Sequence, residues 1–321
     1  MNQKKKLLVV GGSGFFGKSI FEYFKNKKQI KYNINEIILI SRSFIHKNFD
    51  INFKKFKFIQ KDFMKLKKIP ESDYIIYCLR SNSKRKSEKY VNYFFKLIKN
   101  YKKKPKILFT SSGAVYGNRI FKQSERKKKF SENDPINLKK ISKLDKKKMK
   151  YALEKIHLEK KFHSLGKNNY KVSIARCFNF IGKEMIHSNQ AAGSLIQDIV
   201  KDKKTIKLNT SINVYRGYLN AEDMVVWLLT ILNYSNYKCP IFNVGSSTPT
   251  NIRALAKLIG KIYKKKIVLK KLNDKIFDYY VPSTTKANRL LKLKTWISLN
   301  KSVNLIRNYK YEKNFNSNTN I

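Results

Sequence analysis

Short apolar runs of strand length alternate along the first half of the chain with stretches whose apolar residues recur at helical spacing. Residues 7–10, 37–40, 56–59, 74–79, 107–110 and 172–176 read as strands. Most are continuous apolar runs, the pattern of strands buried on both faces. Between them, 18–27 sets Ile20, Phe21 and Phe24 on one helical face. Residues 89–99 do so with Val91, Phe94, Phe95 and Ile98, and 146–165 carries a longer helical pattern. This alternation predicts an α/β fold, a Rossmann-type doubly wound, mostly parallel sheet with right-handed crossovers.

The rhythm breaks at 118–150, a polar stretch dense in lysine that contains Asn133-Asp134-Pro135 and reads as a long surface excursion. After Arg176 the pattern is less regular. Helices are expected at 192–200, 221–232 and 252–263, and short strands at 206–208, 241–244 and 267–269. The expected organisation is a sheet domain over 1–178, to which 216–246 returns. A smaller, discontinuous lobe over 179–321 interleaves with the end of the sheet. The Asn-rich tail from Lys313 is expected to fray.

Composition refines this picture. Apolar residues make up 42% of the 321, which argues against disorder, and no run approaches the roughly 18 apolar residues of a membrane span. Met1–Lys6 leads straight into a strand, so no signal peptide is expected. Cys78, Cys177 and Cys239 lie in apolar stretches and read as reduced core thiols, which suits a cytoplasmic protein. Lys plus Arg total 71 against 21 Asp plus Glu, a formal charge of +50. Such a field attracts polyanions, yet the lysines are spread over every kind of segment. The charge therefore reads as compositional, with no specific nucleic-acid site. His46, His157, His163 and His187 are scattered without metal-ligand spacing, so no metal is expected.

Two motifs carry chemistry. The first strand runs into Gly11-Gly12-Ser13-Gly14-Phe15-Phe16-Gly17 and then a helix. Gly11 permits the tight turn, Gly14 lets a pyrophosphate approach the backbone and Gly17 lets helix pack on strand. The second strand ends Ile40-Ser41-Arg42. An acid there would hold ribose hydroxyls, whereas Arg42 can pair with a 2′-phosphate, so NADP is favoured over NAD. Far downstream, Tyr151 and Lys155 stand four apart on one helical face, preceded by Ser111-Ser112-Gly113 at the end of a strand. A cation beside a tyrosine hydroxyl makes it a usable proton acceptor, and Ser112 could bridge it to a substrate oxygen. Together the motifs point to redox chemistry on an alcohol or ketone.

On these residues the chain resembles the extended short-chain dehydrogenase/reductases of the NAD(P)-dependent epimerase/dehydratase family, whose members mostly modify nucleotide-linked sugars. The resemblance runs from Leu7 to about Val303. It implies that Gly11, Ser13, Gly14, Phe15, Phe16 and Gly17 hold the dinucleotide. Asp62-Phe63 would lie against its adenine and Leu79 by the nicotinamide. Ser112, Tyr151 and Lys155 would be catalytic, with Tyr151 and Lys155 also contacting the cofactor and Ser112 the substrate, and Asn179 and Arg216 would grip a nucleotide diphosphate. Phe242-Asn243-Val244-Gly245 matches the family's returning strand. It also implies a homodimer built on the helices around 89–99 and 146–165.

The departures narrow the chemistry. Family dehydratases carry an Asp-Glu pair directly after the serine or threonine, where this chain has Gly113 and Ala114, so dehydratase activity is disfavoured. Leu79-Arg80 replaces the usual pair of small residues after the fourth strand. The expected activity is that of a 4-ketoreductase of a nucleotide-linked hexose or deoxyhexose. A 4-epimerase with tightly held NAD is the alternative within the class. A non-catalytic or RNA-binding protein on the same scaffold is the alternative outside it.

Overall fold

The computed structural model describes residues 4–26, 31–43, 55–81, 83–117, 119–125, 128–187, 195 and 204–306. The chain divides into two compact units. The first comprises Met1–Gly117, Asp134–Cys177 and Val225–Asn243; the second comprises Asn118–Asn133, Phe178–Met224 and Val244–Ile321.

The first unit is built on a seven-stranded sheet. Its strands are β1 (Lys5–Val10), β2 (Ile34–Ser41), β3 (Phe56–Gln60), β4 (Tyr74–Tyr77), β5 (Lys106–Ser112), β7 (Lys171–Cys177) and β12 (Ile241–Val244). Their order across the sheet is β12-β7-β5-β4-β1-β2-β3. Every ladder from β3 through to β7 is parallel, which requires a crossover between partners. Helices α1 (Phe15–Asn26), α2 (Lys84–Lys99) and α4 (Lys146–Lys167) supply three of them. This is the predicted doubly wound arrangement. The order turns back between β1 and β4, so the carboxyl ends of these strands flank the crevice where such sheets bind ligands.

The apolar runs form these strands because both faces are covered. Leu7, Leu8, Val9 and Val10 are all inaccessible to solvent, as are Ile75, Ile76, Ile107 and Leu108. On one face, Phe162 of α4 stacks on Phe109 of β5 with ring centroids 4.4 Å apart, and Tyr77 and Phe94 close around them. Burying each such ring contributes about 1.5–3 kcal/mol. The two long helices start where the chain offers an acceptor. Ser83 Oγ accepts from the Lys86 N–H, and Asp145 accepts from the Lys148 N–H at 2.9 Å. The strand predicted over 74–79 stops at Tyr77. Beyond it the backbone passes against the glycine turn, where a side chain on Gly11 would come within 2.9 Å of Cys78 C.

The second unit holds a four-stranded sheet in the order β13-β10-β15-β6, made of β6 (Ile120–Lys122), β10 (Ile212–Arg216), β13 (Thr250–Asn251) and β15 (Asn273–Tyr280). Two further parallel pairs are β8 (Asn179–Ile181) with β11 (Tyr218–Asn220), and β9 (Thr205–Leu208) with β14 (Lys266–Leu269). Helix α5 (Ala221–Asn233) runs across the division of the chain, and α6 (Ile252–Tyr263) and α7 (Thr285–Leu291) lie in the second unit.

The excursion at 118–150 departs from its reading as irregular surface. Its first part belongs to the second unit. There β6 pairs antiparallel with β15, Phe121 stacks on Phe277 at 5.8 Å, and Phe130 packs by Phe178 and Tyr280. Its second part belongs to the first unit and holds a short helix, α3 (Leu138–Ser142), that buries Ile141. Apolar residues set singly among lysines carry too little periodicity to announce these elements. Strands β10 and β15 went unread for a related reason: β10 is half-buried throughout, and the first four residues of β15 are exposed. The helix expected at 192–200 lies outside the described residues apart from Leu195, as does the tail from 313.

Candidate active site

The glycine turn sits between β1 and α1. Gly11 has φ +104°, a conformation side chains rarely adopt, and donates its N–H to the Ile40 carbonyl at 3.0 Å. Gly17 is fixed by space: a Cβ there would stand 2.2 Å from the Gly12 oxygen. A cleft of about 190 Å³ opens beside the turn. Of the predicted cofactor residues, Gly11, Ser13, Gly14, Arg42, Phe63 and Leu79 line it, joined by Lys61, Cys78, Arg80 and Tyr90. Phe15, Phe16, Gly17, Asp62, Tyr151 and Lys155 are not among the lining residues. Phe15 and Phe16 meet edge to face, and Asp62 caps the turn Phe63–Lys65 by accepting from the Met64 N–H at 2.9 Å. Arg42 and Lys61 are exposed at the ends of β2 and β3.

Cys78 lies against the floor of this cleft. Its thiol donates to the Val10 carbonyl at 3.2 Å, and burial pushes it up to about 12, so it is a neutral thiol at physiological pH.

Of the three predicted catalytic residues, Tyr151 and Lys155 stand on α4 and Ser112 ends β5, the strand that Lys155 reaches. Lys155 is 5% exposed, and its Nζ donates to the Thr110 carbonyl at 3.0 Å, two residues before Ser112. The same ammonium lies 4.9 Å from the Phe109 ring centroid and 5.8 Å from that of Tyr151. A backbone carbonyl therefore fixes this cation without neutralising it, and among the described residues two of its three donors remain for other partners. Ser112 is 8% exposed and its Oγ accepts from the Ala114 N–H at 3.2 Å, opening the turn Gly113–Tyr116. Its own proton remains to be donated. Tyr151 is half-buried, and among the described residues no hydrogen bond engages its hydroxyl.

A buried network that the sequence reading missed braces this corner. Glu159, one turn beyond Lys155, accepts from Ser111 Oγ at 2.5 Å and from Arg176 Nε and Nη2 at 3.1 and 2.8 Å. Arg176 Nη1 donates to the Tyr116 hydroxyl at 3.0 Å, which donates to Asn243 Oδ1 at 2.8 Å. Burial alone would pull Arg176 down, but the hydrogen-bonded charge of Glu159 outweighs it and holds the guanidinium above its ordinary value. The only signal in the sequence was Arg176 itself, a charge inside an apolar strand.

In the second unit, Asn179 opens β8, and among the described residues its buried Nδ2 has no hydrogen-bond partner. Arg216 ends β10, and its Nη2 pairs with Asp278 Oδ2 at 2.6 Å. Arg119 faces the other oxygen of the same carboxylate at 3.3 Å and lies over the Tyr280 ring at 3.9 Å. Burial pulls the Arg119 guanidinium below its ordinary value, opposed by Asp278. Neither Arg119 nor Asp278 was singled out from sequence, because neither stands in a recognisable motif.

The profile of the NAD dependent epimerase/dehydratase family matches residues 7–245, so the chain belongs to that family, as its motifs predicted. No curated sequence matches it. Among solved structures, it is similar to UDP-glucuronic acid 4-epimerase from Bacillus cereus in complex with UDP-glucuronic acid and NAD. The TM-score is 0.72 at 18% identity, over 96% of this chain and 99% of that one. It is also similar to RMD from Pseudomonas aeruginosa complexed with NADPH, with TM-score 0.68 at 18% identity over 96% and 100%. UDP-glucose 4-epimerase from Thermotoga maritima with UDP-glucose follows at TM-score 0.67 and 17% identity over 97% and 99%. At these identities the likeness shows the shared fold. No helix among the described residues is long and apolar enough to cross a membrane.

Proposed function

We propose that the protein is an NADP-dependent 4-ketoreductase of a nucleotide-linked hexose or deoxyhexose. The observation that carries this reading is the corner where Lys155, pinned to the Thr110 carbonyl two residues before Ser112, lies by the Tyr151 ring on the unit that holds the glycine turn. The residues present fit a nicotinamide dinucleotide: Gly11 and Gly17 leave no room for side chains, and the cleft beside them is lined by three cations, Arg42, Lys61 and Arg80. When bound, the reduced nicotinamide supplies a hydride to the sugar's keto carbon. Tyr151 gives its hydroxyl proton to the keto oxygen, Ser112 hydrogen-bonds that oxygen and Lys155 holds the tyrosine and a ribose. Arg42, with Lys61 on the same cleft, supports a 2′-phosphate and hence NADP. Asp62 and Phe63 would serve the adenine, and Phe15 and Phe16 the loop that carries the pyrophosphate.

Asn179 and Arg216, in the second unit, would hold the nucleotide diphosphate. The unpaired buried amide of Asn179 supports a polar ligand there. On this reading the first unit binds cofactor and the second binds substrate. Gly113 and Ala114 stand in the turn after Ser112 and offer no acid or base, which disfavours water elimination. Helices α2 and α4 would pair across a homodimer axis. The three free cysteines suit a cytoplasmic, reducing setting.

The second reading, a 4-epimerase, is favoured by the likeness to NAD-bound 4-epimerases. Denaturing the purified protein and identifying the nicotinamide it releases separates the two. Stoichiometric NAD supports the epimerase. An empty protein that binds NADPH at least about tenfold more tightly than NADH supports the reductase, and one that binds neither ends both readings.

A further inference from the structure

Arg80 belongs to neither motif, and its family counterpart is a small residue. In the structure it lines the dinucleotide cleft, and its guanidinium stands over the Tyr151 ring with Cζ 5.0 Å from the centroid. That is closer than Lys155 comes to the same ring. The next residue is tied down: Ser81 Oγ shares a 2.7 Å hydrogen bond with Ser87 Oγ, and Ser87 donates to buried Glu154 at 2.7 Å. Glu154 lies between Tyr151 and Lys155 on α4, so the helix that carries the tyrosine also anchors the loop that carries the arginine.

We infer that Arg80 is a second cation at the reacting centre, which makes the site select the reduced over the oxidised nicotinamide. This rests on the proposed oxidoreductase reading. Reduction of a ketone moves a hydride, with its electron pair, from the neutral dihydronicotinamide to the carbonyl carbon. The Tyr151 proton goes to the carbonyl oxygen. The products are an alcohol, a nicotinamide ring bearing one positive charge and a tyrosine phenolate. Carbon and oxygen are bonded neighbours, so the hydride donor lies beside the tyrosine that gives the proton. A guanidinium over that tyrosine attracts the phenolate and repels the charged ring. It therefore binds the reduced cofactor better and speeds departure of the oxidised one. Such a bias suits a reductase that exchanges its cofactor each turnover. It opposes an epimerase that must retain oxidised NAD.

The test is the dissociation constants of NADPH and NADP⁺, measured by fluorescence quenching on the full chain for wild type, Arg80→Lys and Arg80→Gln. Arg80 is exposed, so neither variant endangers the fold. In wild type, NADPH is expected to bind more tightly than NADP⁺. Arg80→Gln should shrink that preference by about three- to tenfold, the scale of a part-solvated charge pair, and Arg80→Lys should keep most of it. Equal weakening of both forms would make Arg80 a phosphate ligand only, and no change in either would make it a bystander. Either result overturns the inference while leaving the cofactor reading intact. If wild type binds neither form, the reading beneath it fails as well.

Discussion

The two units hold the cations of their proposed sites in opposite ways. In the first, Lys155 is fixed by a carbonyl and Arg80 by an aromatic face, partners that position a charge without cancelling it. The carboxylate of Glu159 is used up one layer below, on Arg176 and Ser111. In the second, Arg119 and Arg216 share the single carboxylate of Asp278. The difference separates preorganisation from exchange. A proton donor and its cation must be ready before the substrate arrives, because rearrangement during the chemical step adds to the barrier. The diphosphate grip proposed for the second unit would need no such readiness. An internal carboxylate can hold the arginines until phosphate oxygens replace it, at the cost of some affinity.

The largest effect should come from Tyr151→Phe. It should lower kcat/KM for NADPH-dependent reduction of a nucleotide 4-keto sugar by about 10²–10⁴-fold with cofactor affinity unchanged. Full activity in this variant would take Tyr151 out of the chemistry. Glu159→Ala comes next. It strands a buried guanidinium and should cost about 3–5 kcal/mol in urea unfolding. Glu159→Gln, which can still accept from Ser111 and Arg176, should cost less, and equal losses would show that shape rather than charge matters there.

Asp278→Asn tests the exchange side. Freed of their carboxylate, Arg119 and Arg216 should bind UDP about tenfold more tightly in calorimetry, the worth of one charge-assisted hydrogen bond. Weaker binding would mean that Asp278 organises the site instead of guarding it. The smallest effect is expected at Cys78. Its raised titration keeps it a neutral thiol until the pH climbs toward about 12. Alkylation by iodoacetamide at pH 8 should therefore be slow, and Cys78→Ser should change NADPH affinity by less than about twofold. Rapid labelling at pH 8 would show the floor of the cleft to be more open than its packing.

The first unit was largely legible because its signals are local. Continuous apolar runs announced β1, β2, β4 and β5, and the glycines at 11, 14 and 17 are spaced by the turn they make. The predicted 252–263 helix is found as Ile252–Tyr263, with Asn251 capping it. Tyr151 and Lys155 were readable because four residues is one helical step. The second unit offered less: β6, β10 and β15 are short or half-buried, so their alternation is weak. Arg216 was found through a motif, while its carboxylate partner, 62 residues away, was invisible.

The sequence by itself determined the parallel sheet, the glycine turn and the placing of Tyr151 and Lys155 on one helical face, since each follows from residues within one strand, turn or helix. The tertiary structure alone decided which charges meet. Parallel pairing of β10 with β15 puts Val214 opposite Asp278, and antiparallel pairing with β6 puts Ile120 there, which brings both arginines to one carboxylate. The loop after β4 likewise carries Arg80 onto Tyr151, 71 residues later in the chain. Periodicity records which face of an element is buried. Which side chain it meets depends on register between distant segments, and register exists only once the chain has folded.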